Sequence, residues 1–224
     1  MIIGSFDIQK ENAVYVISNL TTCIDNPFFS RLFQSIDYFT NASSVLSSSS
    51  YSLCAKSIVS LDKFIESTQF NITSATLFLH SIYYQIQKLL ENNIAISFID
   101  LNDIMVIDGD KFYFCNYNKL YNITQNKTIL VTDFYDPNNL FLPPEFIHNN
   151  MIPFSTHYTS VYYSLAIVIL FCLANSNTRP HSRVYHNCKE QLAVGRHGRQ
   201  HTKLYNTLTQ CMIEDPIGRK LFLF

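Results

Sequence analysis

The chain has 224 residues, of which 47% are hydrophobic and 15% charged, with a formal net charge of −1. It is long enough to bury a full core, as one domain or as a small lobe beside a larger one. The near-neutral balance excludes a global electrostatic pull towards nucleic acid or an anionic membrane.

Six cysteines show no C-x-x-C spacing, and Cys54, Cys115 and Cys172 sit in apolar runs. That pattern predicts a reducing, intracellular compartment and no zinc site. The N-terminus lacks a basic stretch followed by an apolar core, so no signal peptide is expected. The longest apolar run, Val161 to Ala174, is fourteen residues, too short for a bilayer and suited to a buried helix. The N-x-S/T triplets are what an Asn- and Ser-rich chain produces by chance, and they are expected to stay unmodified.

In chain order, Ile2-Ile3 and Ala13 to Ile17 predict strands joined by a polar turn at Lys10-Glu11-Asn12. Pro27 to Phe39 carries apolar residues at helical spacing behind a proline start. Asn41 to Ser50 is a Ser-rich linker; Tyr51 to Ile58 predicts a strand and Leu61 to Glu66 a short helix. Ser74 to Asn92 is the clearest amphipathic helix. A strand is expected at Ile129 to Val131, a helix from Glu145, a buried helix over Thr159 to Ala174, and helices over 184–193 and 200–213. A last short element starts at Asp215-Pro216.

Between Ile94 and Asn118 lies a hairpin. Ile104 to Ile107 and Lys111 to Cys115 flank Asp108-Gly109-Asp110, and Asp-Gly between apolar runs supplies the positive φ that a tight turn demands. Asp108 and Asp110 therefore belong to the turn. Asp103 opens the hairpin and Asn116 closes it.

These pieces resemble a protein kinase that has lost most of its N-terminal lobe. Residues 51–66 resemble the last N-lobe strand, the hinge and the helix after it. Residues 82–92 (IYYQIQKLLEN) resemble the family's Y-x-Q-I-x-x-x-L helix, and Asp103-Ile104-Met105-Val106 its Asn-Ile-Leu-Leu. Asn116-Tyr117-Asn118 falls at Asp-Phe-Gly, Pro143-Pro144-Glu145 at Ala-Pro-Glu, and Val161 to Ala166 at Asp-Val-Trp-Ser-Leu-Gly. Residues 211–219 end in the family's Asp-Pro-x-x-Arg. Placing Asp-Phe-Gly at Asp133-Phe134-Tyr135 instead leaves too long a hairpin and too short an activation segment. The resemblance implies an α+β, protein kinase-like fold, with a reduced N-terminal β lobe over 1–58 and a mainly helical C-terminal lobe over 59–224.

The chemistry of that family is positioning plus charge stabilisation, and its parts are missing here. No G-x-G-x-x-G exists, the N-terminal stretch offering only Gly4. No strand lysine is suitably placed, Lys10 and Lys56 being poor substitutes. The catalytic Asp corresponds to Phe98, the metal-binding Asp to Asn116, and the helix Asp that tethers the catalytic loop to Val161. Asn116 is a weaker ligand for Mg²⁺ than a carboxylate. Glu145 and Arg219 match the family's buried ion pair.

The resemblance thus implies a pseudokinase, an interaction or scaffold module of the kind found among reduced kinase-like viral proteins. It would need no cofactor, have a protein partner and bind no membrane. The alternative is a divergent Ser/Thr kinase using Asp100 or Asp103 with ATP and Mg²⁺; against it, both carboxylates can simply cap backbone amides in a tight loop. A third expectation concerns the basic segment Arg196, His197, Arg199, His201 and Lys203, which could grip nucleic-acid phosphates or an acidic partner. It lacks aromatic interleaving. The histidines show no metal-ligand spacing.

Overall fold

The computed structural model describes residues 1–11, 14–19, 50–149, 151–174 and 199–223. The helices expected over Pro27 to Phe39 and 184–193, and the linker up to residue 49, lie outside them. The fold is mixed α+β, with small antiparallel sheets and five α-helices among the described residues. None of those helices is long and apolar enough to cross a membrane.

Strands β1 (Ile2–Ile3), β2 (Phe6–Glu11), β3 (Val14–Asn19) and β4 (Ser50–Cys54) form a four-stranded antiparallel sheet in that order. Strand β2 was not anticipated, because its polar end at Lys10-Glu11 looks like a turn. Its first residues nevertheless have strand periodicity: Phe6 and Ile8 are buried, while Asp7 is half-buried and Gln9 exposed.

The single strand expected over Tyr51 to Ile58 divides. β4 ends at Cys54, and β5 (Ile58–Ser60) joins a different sheet. Asp108 at the hairpin tip holds the switch, its Oδ1 accepting from the amides of Lys56 (2.7 Å) and Ser57 (3.1 Å). Helix α1 (Leu61–Ser67) follows with Ser60 as N-cap, and α2 (Ile72–Leu90) with Asn71 as N-cap.

The hairpin pairs β7 (Ile104–Ile107) with β8 (Lys111–Phe114), and β5 lies on the far side of β7. Asp108 and Gly109 take φ of 54° and 83°, the positive values the turn requires. Buried Gln85 of α2 clasps β8. Its Nε2 donates to Phe112 O (2.9 Å), and its Oε1 accepts from Phe114 N (2.9 Å), so a polar residue sits in the core with its main bonds made.

β6 (Ile94–Ile96) pairs with β9 (Leu120–Asn122), and β10 (Thr128–Val131) with β11 (Phe154–His157). Strands β9 and β11 are too short to carry a readable period. Helix α3 (Pro144–His148) begins at a proline, and α4 (Ser160–Ala174) is buried on nearly every face. Helix α5 (Arg199–Cys211) and a 3₁₀ turn (Pro216–Gly218) complete the described chain. One core unites the N-terminal sheet, the hairpin, α2 and α4, since Ile3, Phe6 and Ile8 cluster with Ile82, Ile104, Tyr117 and Leu165.

Candidate functional site

The site grows from two short turns facing each other. Leu101–Asp103 forms a 3₁₀ turn whose ends cap one another. Asp100 Oδ1 accepts from Asn102 N (2.9 Å), and Asp103 Oδ2 accepts from Asp100 N (2.8 Å). Both carboxylates therefore cap backbone amides. Across the hairpin, Asn116 caps a second turn, Tyr117–Lys119, accepting from Asn118 N.

Asn116 reaches back and donates its Nδ2 to Asp103 Oδ1 at 2.7 Å. The hairpin's two polar ends are thus in contact. The second turn also swings Lys119 inward. Ser97 N donates to Lys119 O (2.9 Å) as β9 runs alongside β6, which fixes the lysine backbone beside the first turn.

Lys119 occupies the centre. Its Nζ donates to Asp103 Oδ2 at 2.6 Å and to Asp100 Oδ2 at 2.8 Å. The same ammonium lies 3.7 Å from the centroid of the Phe98 ring, a close cation–π contact. Asn139 Nδ2 adds a bond to Asp100 Oδ2 (3.3 Å). Asp103 is almost wholly buried, and burial pushes its carboxyl up to about 6, with Asp100 adding to the rise and Lys119 and Asn116 opposing it.

Sequence reasoning found no lysine to accompany the two carboxylates and overlooked Lys119. The available signal was a lone cation immediately after the hairpin exit. Phe98, at the position of the family's catalytic Asp, offers no base. Its ring packs against Phe146 (5.5 Å) and Tyr135 (6.4 Å) in a second, aromatic core.

Two more contacts complete the surroundings. Val161 is buried and apolar, but Ser164, one turn later on α4, accepts from Ile99 N at 3.2 Å and ties the loop to the central helix. From the other side the β1–β2 turn sits directly on the hairpin exit. Ser5 N donates to Cys115 O (2.8 Å), and Ser5 Oγ accepts from Tyr117 N (2.9 Å). Phe6 meets the Tyr117 ring edge-on at 5.1 Å.

Away from this cluster, the structure brings Glu145 and Arg219 together in a fork. Arg219 Nη1 and Nη2 lie 2.6 and 2.7 Å from the two carboxylate oxygens. Lys10 is over the Tyr15 ring, and Lys56 contributes its backbone amide to Asp108. Arg196 and His197 lie outside the described residues; Arg199, His201 and Lys203 fall in α5, where Lys203 is exposed.

Residues of the required types for Mg²⁺ do not fit that ion here. The two carboxylates face an ammonium, and the Asn116 amide oxygen, the atom that could ligate a cation, accepts from Asn118 N. Among the described residues no group of three or more His, Cys, Asp or Glu could hold a metal. The chain matches no family model and no curated protein sequence.

Proposed function

We propose that the chain is a protein kinase-like module that does not transfer phosphate and acts through a protein partner. The observation that carries this reading is Lys119 between Asp100 and Asp103. The carboxylates that the kinase resemblance would assign to catalysis or metal binding are neutralised by an internal cation. An ammonium at 2.6–2.8 Å from both leaves neither free as a base or a metal ligand.

The β1–β2 turn adds support. In the family that this chain resembles, a glycine-rich turn covers bound phosphates. Here Gly4 and Ser5 contact the Cys115–Tyr117 backbone itself, so the turn and the hairpin exit leave no gap between them.

Thermal melting with and without MgATP tests the reading. A ligand at about a hundredfold its Kd stabilises by about 2.7 kcal/mol, which for a chain of this size is a rise of about 5–10 °C. No Mg²⁺-dependent rise is expected. A rise of that size, lost in Asp103→Asn, would overturn the proposal.

A further inference from the structure

A groove of about 580 Å³ opens between the 132–137 loop and helix α3, with Ile152 and Pro153 closing one side. Its floor is Tyr135 and Phe146, stacked edge-to-face at 5.2 Å. Tyr135 Oη donates to Phe146 O and Asn149 O (2.9 and 3.1 Å), and Asn149 Nδ2 is bonded to Glu145 O. The floor is therefore braced, and these polar groups are already engaged within the chain.

The mouth is different. Phe134 is 95% exposed and Ile147 55% exposed, and Met151, next in the chain to the lining residue Ile152, is 79% exposed. Scattered exposed apolar residues are ordinary, but a contiguous set around a concave apolar surface marks a site of association. Aromatic residues and methionine are the types enriched at interface centres. The charges on this loop have one sign. Exposed Asp133 and Asp136 bracket Phe134, and none of the described lining residues is Lys or Arg.

We infer that this groove docks a segment of a partner protein that presents apolar side chains between basic residues. The inference rests on the interaction role proposed above and names its surface. A small-molecule ligand is disfavoured because such sites orient their ligands with convergent free polar groups, whereas Tyr135 Oη and the Asn149 amide are committed. An acidic partner is disfavoured by the two exposed carboxylates on either side of Phe134 in the chain. The apolar contacts supply affinity, and the loop's Asp133 and Asp136 supply charge complementarity.

The test uses fluorescence anisotropy with three short labelled peptides: leucines between arginines, the same peptide with glutamate for arginine, and the same with serine for leucine. The first is expected to bind, and the other two to bind at least about tenfold more weakly. Phe134→Ser should weaken the first peptide by about tenfold or more, with an unchanged melting temperature because the side chain lies in solvent. Asp133→Asn with Asp136→Asn should weaken it less and flatten its salt dependence; Asn at 133 still accepts from Tyr121 Oη.

Equal binding by wild type and Phe134→Ser, or no binding of the leucine–arginine peptide, would overturn the proposal. So would sedimentation showing self-association that Phe134→Ser abolishes, since the occupant would then be a second copy. Melting of Phe134→Ser with MgATP keeps the two proposals apart. It reports on nucleotide binding whatever the groove does.

Discussion

Lys119 and Asp103 form an ion pair of 2.6 Å in which the lysine side chain is 14% and the aspartate side chain 2% exposed. Desolvating two charges gains little by itself, but removing one strands the other. Lys119→Met should therefore cost about 3–5 kcal/mol near neutral pH, read from urea unfolding. The loss should shrink on acidification, as the stranded carboxyl takes up a proton. Adding Asp103→Asn to Lys119→Met should recover part of the stability. A Lys119→Met variant as stable as wild type at neutral pH would show that the pair contributes nothing.

Asp103 also predicts a pH dependence of its own. Its carboxyl is raised by burial from 3.8 to about 6, so the folded state holds this proton more tightly than the unfolded state does. The associated stabilisation is present below about pH 4 and is lost as pH rises through about 6. The stability of wild type relative to Asp103→Asn should thus fall from pH 4 to 6 and level off above. Denaturation midpoints across that range provide the check, and a difference that grew with pH would contradict it.

Gly4 has φ of 56°, and a Cβ built on it would lie 2.6 Å from Cys115 O. Both the backbone conformation and the close approach exclude a side chain. Gly4→Ala should cost at least about 1–3 kcal/mol and loosen the contact with the hairpin exit. Hydrogen exchange should accelerate at the Ser5 and Tyr117 amides, whose partners are Cys115 O and Ser5 Oγ. Ser5→Ala should accelerate Tyr117 alone, at a cost of about 1 kcal/mol.

Arg219 is fully buried at its side chain, pairs with Glu145, and also donates to Ile213 O (2.7 Å) and Glu214 O (2.9 Å). Arg219→Ala should cost about 3–5 kcal/mol by leaving Glu145 without its partner. Arg219→Lys should rescue little, because an ammonium cannot reproduce the planar fork. Thermal unfolding of the two variants side by side checks both statements. Full rescue by lysine would mean that charge alone matters there.

Local elements were legible where their signals are local. The Asp108-Gly109 turn follows from two positive-φ positions between apolar runs. Helix α2 follows from apolar spacing and α4 from an unbroken apolar run, α1 and α5 were also expected, and Ser60 and Asn71 are N-caps of the expected types. Strands β2, β6, β9 and β11 were missed because they are either half polar or only three to four residues where they lack a period. The α+β character was readable, and so was the hairpin with Asp103 and Asn116 at its ends; the bond between those two side chains was not.

The composition of the site was not. Asp100, Asp103 and Asn116 stand out in the sequence as polar residues bordering a hairpin, but the two carboxylates are paired with Lys119. Lys119 is brought to them by the pairing of β6 with β9 and by the turn that Asn116 caps. Ser164 likewise meets Ile99 only because α4 packs beneath the loop. Backbone turns and helical faces are settled by neighbours a few residues apart, so residue order alone decides them. Whether two neighbouring carboxylates face a proton, a metal ion or an ammonium is settled by which distant side chain reaches them, and only the folded chain decides that.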